Sequence, residues 1–190
     1  GVADGLLKHR EVMARRLGVD IVLKKIADLD ITTDRGIVVP KEVLTTDAAA
    51  AIADPEIQII VETIGGTGIA KKFVLDALNA KKCVVTANKK LLAEYGKEIF
   101  DTAKANGVDI YFGASVGGGI PIIRVLREGL AGNDIESIHG ILNGTCNYIL
   151  TRMENEGLPF DEVLKDAQKL GYAEANPSLD IDGFDTAHKA

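Results

Sequence analysis

The chain has 190 residues, 46% of them hydrophobic and 26% charged, with a formal net charge of -6. That length holds one good core or two small domains, while the acidic balance and the lack of a basic run argue against nucleic acid or an anionic membrane surface as partner. No apolar run approaches the ~20 residues of a membrane span, and no signal peptide is visible. Cys83 and Cys146 sit in apolar settings and read as buried free thiols, as in a reducing cytoplasm. His9, His139 and His188 have no metal-ligand spacing.

Apolar periodicity predicts an amphipathic helix over residues 5–17, where Leu6, Leu7, Val12, Met13 and Leu17 recur at helical spacing. A strand over 21–27 follows and ends at Asp28. After a connection rich in turn formers come an alanine-rich helix over 47–53, a strand over 57–61, a turn at 65–68, a helix over 70–79 and a strand over 83–86. A helix over 90–106 stops at Gly107, and residues 108–112 form a further strand. Strands separated by helices of this length build a parallel sheet covered by helices on both faces. Such a sheet binds ligands where its strands end, which brings forward Asp28, the loop 63–68 and the loop 86–89. At its strand end, Asp28 is placed either to accept hydrogen bonds from a ribose hydroxyl or simply to cap the strand.

Gly113 through Pro121 joins the last of these strands to a helix reaching residue 130, and Pro121 suits that helix's first turn. The pattern changes from Asn133 onward, so residues 1–130 and 131–190 read as two domains. Residues 135–142 alternate as a strand. Tyr148, Ile149, Leu150 and Met153 then mark a helix capped by Thr145 or Asn143 and ended by Gly157. A last full helix over 160–170 is opened by Asp161 and Glu162 and closed by Gly171.

The final stretch, from Ala167 to Lys189, gathers Glu174, Asp180, Asp182, Asp185 and Lys189 around two turn signals. In a helical segment Asp185 and Lys189 share one face with the carboxylate N-terminal to the amine, the favourable order. Asp180, Asp182 and Gly183 also fall at positions of a calcium loop, but the frame puts Lys189 where the bidentate glutamate belongs, and an ammonium repels the ion.

In order and spacing, Ala167, Gly171-Tyr172-Ala173-Glu174, Asn176-Pro177, Asp180, Gly183, Asp185 and Lys189 resemble the signature of homoserine dehydrogenases. The run Thr86-Ala87-Asn88-Lys89 resembles the T-x-N-K run that carries an active-site lysine in the same family. The resemblance implies an α/β fold: a Rossmann-like parallel sheet with helices on both faces, followed by part of an α+β catalytic or substrate domain. It implies reversible oxidation of homoserine to aspartate 4-semialdehyde with NAD or NADP, in threonine and methionine biosynthesis, by a cytoplasmic homodimer. The implied roles place Lys189, Asp185 and Lys89 in catalysis, with Gly144, Thr145, Tyr172, Glu174, Asp180 and Asp185 at the substrate. Asp28, Gly65, Gly66, Lys89 and Gly171 would meet the cofactor.

Hydride removal from an alcohol leaves a proton for a base to accept. Lys189, held by Asp185 with Lys89 as a second nearby cation, fits that role, and the converse assignment, with Lys89 as base and Lys189 polarising the carbonyl, stays open. In the family the 113–121 loop gives carbonyls to sodium, here Val116, Gly118 and Ile120, but its glutamate position falls on Gly113. A glycine-rich phosphate loop is missing before the first helix, so the resemblance implies a chain truncated at its start, a second cut after Ala190 and an inert fragment. Where NADP-using members often carry arginine, the chain reads Ala27-Asp28-Leu29-Asp30, and an aspartate repels a 2'-phosphate, which favours NAD. The rival readings are a dehydrogenase of a related semialdehyde and a nucleotide-binding regulatory module without chemistry.

Overall fold

In the computed structural model, which describes residues 1–190, helices α1 (Val2–Lys8) and α2 (Arg10–Leu17) stand where one helix was predicted. His9 leaves helical geometry at φ -110° and ψ 13°, yet backbone bonds run on through the break, from His9 N to Gly5 O and from Met13 N to His9 O. No residue of either helix is buried, so no packing straightens the joint.

The strand predicted over 21–27 contracts to β1 (Ile26–Ala27), because only those residues meet a partner, β2 (Leu44–Thr45). Too short to show alternation, β2 had no signal in the sequence. Helix α3 (Ala48–Ala53) follows, with the Asp47 carboxylate accepting from Ala50 N at 2.9 Å as its N-cap.

Three parallel strands form the second sheet: β3 (Ile59–Glu62), β4 (Cys83–Thr86) and β5 (Ile110–Tyr111), in that order across it. Helix α4 (Ile69–Asn79) crosses from β3 to β4, and α5 (Lys89–Asn106) from β4 to β5. These are βαβ units, the parallel α/β architecture that the alternation predicted. The two sheets share no strand pairing, so the single predicted sheet is present as two sets of parallel strands.

Ala70, Val74, Ala77 and Leu78 of α4 recur at helical spacing and are buried against Val84, Ile110 and the Leu91, Ile99 and Ala103 stripe of α5. Each fully buried Leu, Ile or Val contributes about 1.5–3 kcal/mol relative to exposure. This cluster is the core that fixes the ends of β3 and β4. The Ile57 amide donates to Asp54 O at 3.1 Å, so residues 54–57 make a turn and β3 starts later than predicted, and the buried Lys82 ammonium donates to the carbonyls of Asp54 and Ile57.

Beyond β5 the helix predicted to reach residue 130 is wound as a short α6 (Ile122–Arg124) continuing as a π-helical turn, Val125–Gly129. The strand predicted over 135–142 is absent: no strand of the chain pairs with it, and Ile135, Ile138 and Ile141 are exposed, the last by 75%. Alternation shows what a strand would bury, but pairing decides whether one forms.

Helix α7 (Gly144–Glu156) is capped by Asn143, one of the two expected caps, and ends at Gly157 with φ 69°. It packs on α8 (Phe160–Lys169) through Ile149, Val163, Ala167 and Ala173, a second buried cluster separate from the first. Short helices α9 (Ser178–Ile181) and α10 (Phe184–Lys189) close the chain. No helix is long and apolar enough to cross a membrane.

At the C-terminal ends of β3 and β4, the carboxylate of Glu62, only 4% exposed, accepts from Thr86 Oγ1 at 2.6 Å and from the amides of Ile64 and Gly65 at 2.7 and 3.0 Å. Replacing Thr86 by Val keeps the shape of the core but strips a buried carboxylate oxygen of its donor. The expected loss is about 1–3 kcal/mol of stability, read as a lower denaturant midpoint; a midpoint equal to that of the unmutated chain would show that the contact does not hold the strand ends.

Candidate active site

Asn88 accepts from Leu91 N through Oδ1 at 3.1 Å and so caps α5, whose first residue is Lys89. In the second half of the chain, Gly183 takes the left-handed conformation at φ 82° and turns the backbone from α9 into α10. Asp185 and Lys189 then lie one helical turn apart on α10, as their spacing predicts.

Asp185 is the meeting point. It is 7% exposed, its Oδ1 accepts from Lys89 Nζ, and its Oδ2 accepts from Lys189 Nζ at 2.6 Å and from Asn143 Nδ2 at 2.8 Å. Lys189 also donates to the carbonyl of Leu142 at 2.6 Å, and Asn143 also donates to Asp180 Oδ1 at 2.8 Å. Thr145 Oγ1 donates to the Tyr172 carbonyl at 2.8 Å, and the Tyr172 ring lies 4.9 Å from that of Tyr148.

Lys89, Tyr172, Asp180 and Asp185 among these border a cleft of about 350 Å³. Of the residues expected at a site, Lys89, Gly171, Tyr172, Glu174, Asp180 and Asp185 line it, and His188 joins them. Gly144, Thr145 and Lys189 do not line it; Lys189 stands behind Asp185, turned to Leu142. A larger hollow of about 500 Å³ beside α5 and β5 is lined mainly by apolar groups such as Phe100, Val108 and Ile110, with Lys104 and Asp109 its only charged residues. The smaller cleft carries the converging chemistry.

Gly65 and Gly66 adopt φ 81° and 68°, which side chains rarely tolerate, and nothing lies within 4 Å of where a Cβ would stand on either. Glu62 holds the amides of Ile64 and Gly65 from below, while Asn88 Nδ2 donates to Gly66 O at 2.7 Å. The loop therefore leaves open space beside Gly65 and Gly66 at the strand ends. Asp28 is paired with Arg35 at 3.1 Å and accepts from Asp30 N at 3.0 Å. The 113–121 loop fits sodium poorly. It offers no carboxylate, and of the three expected carbonyls that of Ile120 already accepts from Ile122 N at 2.8 Å.

Asn143, Asn88, Glu62 and the Leu142 carbonyl had no assigned place in a site from the sequence. Asn143 could be read only as a helix cap, because its amide donors leave no trace in residue spacing.

Burial pushes the Asp185 carboxyl up, but the hydrogen bonds from Lys189, Lys89 and Asn143, together with the Lys89 charge, outweigh it and hold the group well below the usual carboxylate range. A depressed folded-state pKa stabilises the fold above the unfolded value of about 3.9 and loses that contribution as pH falls below it. Asp185→Asn should therefore cost about 1–3 kcal/mol at pH 7, discounted from the fully buried case because the Lys89 side chain is 38% exposed. The gap between mutant and unmutated chain should narrow toward pH 3 in denaturant titrations; a gap constant with pH would remove this account of Asp185.

Known proteins match nearly the whole chain. Residues 1–113 match the homoserine dehydrogenase NAD-binding domain, and residues 121–190 match the homoserine dehydrogenase family. A homoserine dehydrogenase from Bacillus subtilis is 48% identical over 189 residues, covering 100% of this chain and 44% of that protein. The crystal structure of a homoserine dehydrogenase from Thiobacillus denitrificans superposes with a TM-score of 0.85 at 47% identity, over 98% of this chain and 43% of that one. A hyperthermophilic archaeal homoserine dehydrogenase solved in complex with NADPH matches 75% of this chain and 44% of its own length, with a TM-score of 0.66 and 35% identity. The chain thus spans less than half the length of the curated relatives it matches. Matched by the family's models over both halves, and nearly half identical to a curated member along its whole length, the chain belongs to the homoserine dehydrogenase family.

Proposed function

We propose that the protein carrying this chain oxidises L-homoserine reversibly to L-aspartate 4-semialdehyde, a step of threonine and methionine synthesis, as a cytoplasmic homodimer. Residues 1–130 deliver the cofactor in this reading, and residues 131–190 contribute the substrate side. The observation that carries it is the shared carboxylate: Asp185, in the wall of a cleft rich in acidic and polar side chains, holds the ammonium group of Lys89 in that wall and that of Lys189 outside it.

A nicotinamide dinucleotide, when bound, accepts the hydride from the alcohol carbon. The residues that would hold it are Gly65 and Gly66, with Lys89 and Gly171 at the cleft and Asp28 at the ribose. Glu174 and Asp180 attract the substrate's ammonium, which is what acidic side chains on a cleft wall select. Thr145 acts through Tyr172, whose carbonyl it holds, and Gly144 opens the same helix.

The proton left on the substrate oxygen goes to a lysine amine. With both lysines protonated and Asp185 ionised the trio carries one net positive charge; with one amine neutral it carries none. Lys189 takes the proton in the reading that the family signature favours. A second reading gives this step to Lys89, and a specific observation supports it: Lys89 lines the cleft and Lys189 does not.

Homoserine-dependent reduction of NAD(P) by the full-length protein tests both. Lys189→Ala should lower kcat by about 100-fold or more, the usual scale for a positioned acid or base. Loss of activity in Lys89→Ala with Lys189→Ala largely intact would transfer the role to Lys89. No homoserine-dependent reduction by the unmutated protein would remove the dehydrogenase reading altogether.

Cofactor preference follows from Asp28, whose negative charge opposes a 2'-phosphate, so kcat/KM should favour NAD over NADP. Its pairing with Arg35 tempers that charge without removing it. Equal or better turnover with NADP would refute the assignment, and Asp28→Ala should move the ratio toward NADP.

A further inference from the structure

Asn143 has no part in the reaction as proposed above, yet its side chain joins three elements. It is 6% exposed. Its Oδ1 accepts from Cys146 N at 2.7 Å and caps α7, while Nδ2 donates to Asp180 Oδ1 of α9 and to Asp185 Oδ2 of α10, both at 2.8 Å. A side-chain amide has two N–H donors and one carbonyl acceptor. All three functions of this amide are engaged inside the protein.

Helix capping explains only one of them. Ser, Thr and Asp cap as well as Asn, but none can give two hydrogen bonds from one nitrogen to two carboxylates. A lysine or arginine in this place would add a third cation beside Lys89 and Lys189; an aspartate would set a third negative charge against Asp180 and Asp185. An uncharged double donor is the group that can sit between two carboxylates and leave the charge of the lysine cluster unchanged.

The neighbouring residue strengthens the case. The Leu142 carbonyl accepts from Lys189 Nζ at 2.6 Å, so consecutive residues hold the two members of one ion pair, Leu142 the amine and Asn143 its carboxylate. We propose that Asn143 is a positioning residue: it orients Asp185 so that each carboxylate oxygen faces one lysine, and it couples that orientation to Asp180 in the substrate cleft. This rests on the proposed dehydrogenase reading for its effect on turnover, though not for its geometry.

Without the Nδ2 donor, Asp185 loses a fixed contact on the oxygen it shares with Lys189, and Asp180 loses the partner that ties it to α7. Turned away from a lysine, Asp185 no longer stabilises that ammonium, which favours the neutral amine. A base in that cluster then becomes available at lower pH. The sign is therefore a downward shift of the rising limb of kcat/KM for homoserine oxidation.

Asn143→Ser and Asn143→Asp both keep a capping oxygen and remove the double donor, and Asn143→Asp adds a negative charge. In the full-length protein Asn143→Ser keeps the cap but leaves two carboxylate oxygens without that donor, so it should still fold and melt moderately lower. It should lose about ten- to a hundredfold in kcat and move the rising limb down by about half a pH unit, while Asn143→Asp, which adds a negative charge beside the lysines, should move it up. A melting change alone, with kcat and the pH limb unaltered in an active protein, would reduce Asn143 to a cap and overturn the inference. Should the unmutated protein fail to oxidise homoserine, the dehydrogenase reading fails, and a crystal structure of Asn143→Ser decides the geometric claim. Asp185 keeping both lysine contacts there overturns it; Asp185 turned away from either lysine sustains it.

Discussion

One carboxylate joins the two halves of this molecule. Asp185 is reached by Lys89 from the first half and by Lys189 from its own helix, positions 96 apart and four apart in sequence. The two buried apolar clusters are separate, one around α4, α5 and the three-stranded sheet, the other between α7 and α8. Hydrophobic burial supplies most of the stability within each, but it is non-directional and sets no particular geometry between them. Hydrogen-bonded charges do. A buried ion pair adds little net stability once desolvation is counted, so what the Asp185 contacts contribute is placement: they fix where the N-terminus of α5 stands relative to α10.

That placement runs against a local preference. Lys89 opens α5, where the helix dipole disfavours a cation by about 0.3–1 kcal/mol. The carboxylate of Asp185 offsets this, and Asn88 meets one of the helix's free amides through its cap. The same Asn88 side chain donates to Gly66 O and its backbone N–H donates to Thr86 Oγ1, which in turn holds Glu62. Ser115 Oγ adds a hydrogen bond to the Thr86 carbonyl at 3.1 Å. The glycine loop at the strand ends and the amine at the cleft are thus keyed to one asparagine, so a shift in either is felt by the other.

Elements with local causes were legible in the sequence. β4, α4 and α5 carry their own periodicity, and Gly107, Gly157 and Gly183 take the left-handed conformation at the turns they mark. Elements whose existence depends on a partner were not: residues 21–25 and 135–142 have strand-like composition but no neighbour to bond, and β2 exists only because β1 lies beside it. The same division holds at the site. The Asp185–Lys189 pair follows from i,i+4 spacing, and the family resemblance brought Lys89 to it. Asn143 escaped because a cap and a double donor have the same sequence signature; only the positions of Asp180 and Asp185 in space separate them.

Charge distribution in the cleft orients the proposed substrate. Its lining holds three carboxylates, Glu174, Asp180 and Asp185, and a single lysine, Lys89. Asp185 is neutralised by two ammonium groups, which leaves Glu174 and Asp180 as the uncompensated acidic pair. An amino acid entering this field places its ammonium toward Glu174 and Asp180 and its far end toward Lys89. For homoserine that far end is the hydroxyl, the group to be oxidised. Reversing the molecule would face its hydroxyl to that acidic pair and bring its ammonium to Lys89, exchanging an attraction for a like-charge contact. In the proposed reaction, the field that draws the substrate's ammonium would therefore turn the reacting carbon toward the lysine cluster, and a small uncharged alcohol without an amino group would have no such preferred orientation.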